Sequence, residues 1–208
     1  MTNAQNFFSH EEKARIEAAV REAESRTGGE VVPMVVDESF DYPRAEILGA
    51  GLFSLAASVT LSWAFGGSSI WVFLPLFLAL YFPCKWLISH FPALKRRFIP
   101  PAEMDAEVQE KAMISFLEHG LHRTREATGV LILISLFEHR VYVLADRGVN
   151  AVVPPQTWDE LVHLVTDGIH AGRTCDALCA AIRRCGDILA EHFPPGSEDK
   201  NQLPNLIV

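Results

Sequence analysis

The chain has 208 residues, 49% of them hydrophobic, and its 26 acidic side chains against 18 lysines and arginines give a net charge of −8. No basic stripe is interleaved with aromatic residues, which argues against nucleic acid as a partner. The cysteines, Cys84, Cys175, Cys179 and Cys185, fit no CxxC or zinc spacing and read as reduced, mostly buried thiols of a cytosolic domain.

The opening stretch MTNAQNFFSHEEKARIE has neither the basic n-region nor the apolar h-region of a cleaved signal peptide, so targeting is expected from the apolar hairpin of residues 47–84 itself. Ser9-His10-Glu11-Glu12 forms a capping-box pattern, and a helix should start there. Ile16, Ala19, Val20 and Ala23 share one of its faces, and Gly28-Gly29 supplies the stop. Residues 30–36, EVVPMVV, read as a strand; Pro33 lacks an N–H, which assigns that strand to a sheet edge or a bulge. Residues 37–44 read as a polar linker.

Residues 47–84 contain no Asp, Glu, Lys, Arg or His. One straight helix over that run would measure roughly 57 Å against a hydrocarbon core of about 30 Å, so the run must fold back. Gly66-Gly67-Ser68-Ser69 is the turn this predicts, with spans over about 47–65 and 70–87. Trp63 and Trp71 flank the turn while Tyr81 and Trp86 lie toward the other end, the placement amphipathic rings take at two membrane interfaces. Ala50, Ser54, Ser58 and Ser62 form a small-residue stripe for close helix approach, and Pro75 and Pro83 should kink the second span. The alternative is a buried soluble helix pair, which rarely stays uncharged on every face for ~18 residues. Arg44, Lys85, Lys95, Arg96 and Arg97 flank the spans while the turn is uncharged, which orients both termini to the cytoplasm. Residues 95–97 could also meet anionic lipid headgroups.

Beyond the spans, residues 91–101 read as a basic, proline-punctuated return. A helix is predicted over about 102–125, with Val108, Ala112 and Phe116 inward. Residues 130–137, VLILISLF, read as a central strand covered on both faces, and residues 140–145, RVYVLA, as its antiparallel partner across a tight turn. Thr157-Trp158-Asp159-Glu160 has a second capping-box pattern, Thr174 is the expected cap of the last helix, and Pro194-Pro195 ends it. Neither piece outside the spans can close a core alone, since the first offers one helix and one strand. The expected fold class is therefore α/β: an α/β/α sandwich interrupted by a two-helix transmembrane hairpin, the first strand rejoining the second through a right-handed crossover. The expected division is 7–44 for the first part, 45–89 for the hairpin, 90–102 for a linker, 103–193 for the second part and 194–208 for a tail.

Three segments carry a family resemblance: SHEEKARIEAAVREAESRTGGEVVPMVV, GVLILISLFEHRVYVLADRGV, and the helices after Trp158 closing with DALCAAIRRCGDILAEHFP. They resemble the TPM domain, known from a thylakoid-lumen phosphatase-like protein, photosystem II repair proteins and many bacterial membrane proteins. The hairpin between first strand and second helix resembles a bacterial branch. The resemblance implies an α/β/α sandwich, residence in a bacterial inner membrane, and for some relatives phosphatase activity with a divalent metal.

If the two long strands are parallel, Asp37 and Glu138 mark one end of the sheet, while Glu30 and Asp146 mark the other, ~23 Å away. Asp146-Arg147-Gly148 lies in the best-matched segment, where a strand-end carboxylate could hold Ca²⁺ or Mg²⁺ with Glu30 and backbone oxygens; it could equally cap a short helix or pair with Arg147. His119 and His122 beside Glu118 would share a helix face, and His139 sits in a tight turn; each is a candidate ligand or acid–base group and equally a surface residue. No GxSxG, phosphate-binding glycine loop, HExxH or cysteine nucleophile setting is present, and no catalytic residue is assigned. The expectation is a non-enzymatic module that recruits or helps assemble another membrane protein at the bilayer; the alternative is a divalent-metal-dependent phosphatase acting on phosphate esters.

Overall fold

The structure is a computed structural model that describes residues 3–65, 69–124, 126–195 and 204–208. The expected turn at Gly66-Gly67-Ser68 lies outside the described residues. The chain forms two units, residues 1–39 with 106–208, and residues 40–105.

In the first unit, helix α1 (His10–Glu24) begins at the capping box read from the sequence. The Glu12 amide donates to Ser9 Oγ at 3.2 Å and the Ser9 amide to Glu12 Oε2 at 2.8 Å. Strands β1 (Glu30–Val36), β2 (Gly129–Ser135) and β3 (Arg140–Ala145) form a sheet in that order. β1 and β2 are parallel, from Glu30 opposite Gly129 to Val36 opposite Ser135, and β2 and β3 antiparallel, from Val130 opposite Ala145 to Ser135 opposite Arg140. His139 supplies the positive φ (54°) that closes the β2–β3 turn.

Alternation along the strands builds two cores. Val31, Val35, Val130, Ile132 and Ile134 pack with α1, α7 (Pro155–His170) and α8 (Thr174–His192). Val32, Met34, Leu131 and Leu133 pack with Val108, Ala112 and Phe116 of α5 (Pro101–Glu118) on the other face. β2 is buried throughout, as its unbroken apolar run requires. Cys175, Cys179 and Cys185 are buried free thiols, and burial pushes the Cys185 thiol up to about 12.

Pro33 sits on the outer edge of β1. The sequence therefore placed the strand correctly, and the ladder to β2 runs past it unbroken. On that outer edge the Val31 amide donates to Glu24 Oε1 at 3.3 Å. The chain end takes the rest: Ile207 N–H donates to the Pro33 carbonyl at 3.1 Å and the Val35 N–H to the Ile207 carbonyl at 2.9 Å, a parallel bridge between Met34 and Ile207.

Three helix boundaries differ from expectation. α5 stops at Glu118 because Gly120 takes a left-handed φ of 77°, and a separate 3-10 turn, Leu121–Arg123, follows. α7 starts at Pro155, whose fixed φ opens the helix before the Thr157 pattern could cap it. Thr174 is the first residue of α8, and the capping position falls to Arg173 without a side-chain bond.

In the second unit, α2 (Pro43–Phe65) and α3 (Ile70–His90) are both long and apolar enough to cross a membrane. Ala50, Ser54, Ser58 and Ser62 are buried, the stripe along which α2 meets α3. The hydroxyls of Ser54 and Ser58 donate back to the carbonyls of Gly51 and Leu55 at 3.1 and 3.0 Å, so these side chains satisfy themselves within their own helix. Pro75 and Pro83 lie inside α3. The outer faces are bare: Trp71 is 85% exposed and Phe82 71%. A pair of soluble core helices would have buried such residues. The return segment contains a short helix, α4 (Pro92–Arg96), and Lys95 is buried with its Nζ 3.3 Å from Glu46 Oε1. Lys95 is thus engaged by an anionic side chain, while Arg44, Lys85 and Arg97 remain exposed.

Candidate functional site

The sheet separates its carboxylates into two groups, as the strand directions require. At one end Glu30 stands opposite Gly129, and the Asp146 amide donates to the Gly129 carbonyl at 2.9 Å, so Glu30 and Asp146 flank the same residue. Asp146 is the N-cap of α6 (Arg147–Asn150), its Oδ1 accepting the Arg147 N–H at 2.6 Å. Its other oxygen, Oδ2, is buried and meets no hydrogen-bond donor among the described residues. Gly148 belongs to this turn for a steric reason. A Cβ there would lie 2.3 Å from the Glu126 carbonyl oxygen and 2.7 Å from that of Ala127.

Glu24 joins this end from α1, a residue that the sequence reading missed. Its carboxylate reaches the Val31 N–H at 3.3 Å, and burial, with a smaller contribution from the Glu30 charge, pushes its carboxyl up to about 7. The available signal was its place directly after Ala23 on the apolar face of α1.

At the other end the carboxylates are structural. Glu138 is 1% exposed, accepts the Ser39 N–H at 2.9 Å with Oε1 and receives the Ser135 hydroxyl on Oε2. Asp37 accepts the Ala4 N–H at 2.6 Å through Oδ1, and its carbonyl accepts the Phe137 N–H at 2.8 Å. Both tie loops to the sheet. His119 and His122 do not share a helix face: α5 ends at Glu118, and Gly120 turns the chain between them. His139 is exposed in its turn.

No group of three or more His, Cys, Asp or Glu among the described residues has metal-holding geometry. The Glu30–Asp146 end therefore offers too few ligands for a closed zinc-type site. A hard cation held there would draw most of its oxygens from backbone and water, which Ca²⁺ and Mg²⁺ tolerate.

Residues 99–188 match the family model described as the TPM domain. The segment from Ser9 to Val36, which carries part of the resemblance, lies outside the matched residues. Among solved structures, the NMR structure of the BA42 protein from the psychrophilic bacterium Bizionia argentinensis matches 100% of this chain and 98% of its own, with a TM-score of 0.59 at 21% identity. That likeness is one of fold. None of the curated proteins compared is significantly similar to the chain.

Proposed function

We propose that the chain acts as a two-span protein of the bacterial inner membrane, using a TPM-like domain, whose residues 99–188 match the TPM family model, on the cytoplasmic face as a non-enzymatic module to recruit or help assemble another membrane protein. The observation that carries the reading is the parallel pairing of β1 with β2 across an insert of two exposed apolar helices. Strands that pair lie on one side of a bilayer, so the insert between them crosses an even number of times. Exposed Arg44, Lys85 and Arg97 near the span ends support a cytoplasmic domain. Of the carboxylates first considered, Glu138 and Asp37 are occupied in holding loops, which supports a scaffold rather than a catalytic centre at that end.

Purification of the tagged full chain from native membranes, quantified against a hairpin-only control, should enrich one membrane protein in near-stoichiometric amount. Absence of any such enrichment overturns the reading.

A second reading, a divalent-metal-dependent phosphatase, is favoured by the buried free oxygen of Asp146 beside Glu30. The measurement is hydrolysis of a generic phosphate ester with Ca²⁺, Mg²⁺ or Mn²⁺. Asp146→Asn is the informative variant, because asparagine keeps the helix cap and removes the charge. Metal-dependent activity abolished in this variant establishes the second reading; activity unchanged removes Asp146 from it.

A further inference from the structure

We propose that the outer edge of β1 is a strand-addition site for an extended apolar peptide, and that the last residues of this chain hold it closed as a tethered strand. The edge exposes few backbone groups. Val31 N–H is taken by Glu24, Pro33 has no N–H, and the Pro33 carbonyl and Val35 N–H are those the tail engages, at 3.1 and 2.9 Å. The side chains beside the bridge alternate as they would along a strand: Leu206 packs against the core on the α1–α8 face, while Ile207 packs against the core on the α5 face. A ligand for this edge thus needs two adjacent apolar side chains, one for each face, with the N–H and C=O of the second free to bridge.

The contact is also suited to exchange. It is a single bridge rather than a ladder, and Leu206 and Ile207 remain only partly buried. A tethered segment holds such a site by its effective concentration, in the millimolar range for a short linker, more than by affinity. An uncovered edge of this kind is what folded proteins protect against indiscriminate pairing. The proposal goes beyond the recruitment reading and stands apart from it: recruitment through another surface survives its failure.

The probe is a fluorescein-labelled peptide Pro-Asn-Leu-Ile-Val, assayed by anisotropy on full-length protein in detergent. A variant ending at Pro195 should bind it at least tenfold more tightly than the intact chain. A full-length Leu206→Asp/Ile207→Asp variant should do the same with its fold unaltered by length. Methylating the peptide's isoleucine nitrogen removes the donor to Pro33 and should abolish binding. In the unaltered chain, excess peptide should accelerate hydrogen exchange at the Ile207 amide. Equal binding by intact and tail-altered chains, equal binding of the methylated peptide, or unchanged Ile207 exchange at saturating peptide each overturns the proposal.

Discussion

Glu24 and Val31 are joined across the end of α1 and the start of β1, the Glu24 carboxyl accepting the strand's amide at 3.3 Å. Because burial raises the Glu24 carboxyl from its ordinary value to about 7, between pH 4.5 and about 7 the folded chain holds a proton there that the unfolded chain has lost. Folded stability is full below the unfolded value near 4.5 and declines as pH rises toward 7. Allowing for the partly exposed site, the decline attributable to this group is about 2 kcal/mol. Glu24→Gln keeps an acceptor for Val31 and should flatten the loss between pH 5 and 8. Thermal unfolding across that range checks it.

Gly148 has no room for a side chain between the carbonyls of Glu126 and Ala127. Gly148→Ala should cost about 1–3 kcal/mol by displacing that loop. The measurement is the denaturant midpoint of the purified chain, and an unchanged midpoint contradicts the close approach.

Asp146→Ala removes the cap of α6 and should cost about 1 kcal/mol, whereas Asp146→Asn should cost only a few tenths. Comparing the two by thermal melts separates the capping role of Oδ1 from any role of the charge.

Glu138→Ala leaves the Ser39 amide and Ser135 hydroxyl without their carboxylate inside the protein. A loss of about 2–3 kcal/mol is expected, since breaking a buried charged hydrogen-bond set exposes its desolvation cost. Urea unfolding provides the value; a loss below 0.5 kcal/mol is inconsistent with a structural role.

Ser58 donates to its own helix, not to α3. Ser58→Ala should therefore leave the melting temperature in detergent nearly unchanged, while Ser58→Leu should lower it by forcing α2 from α3.

Signals that act within a few residues were enough to read much of this protein from sequence alone. An uncharged apolar run announces two long apolar helices, the Ser9–Glu12 spacing starts α1, and the missing N–H of Pro33 sends β1 to an edge, because hydropathy, caps and absent donors need no distant partner. The same local logic misjudged α5 and the histidines, since Gly120 adopts a left-handed turn that its neighbours do not announce. Tertiary structure alone decided what each carboxylate does. Glu138 meets Ser39 from 99 positions away, Glu24 is half-buried only because β1 returns beside it, and the tail bridges to β1 only because Pro33 and Val35 leave an edge open. Burial and pairing are properties of surfaces brought together by folding, and no window of sequence contains both partners.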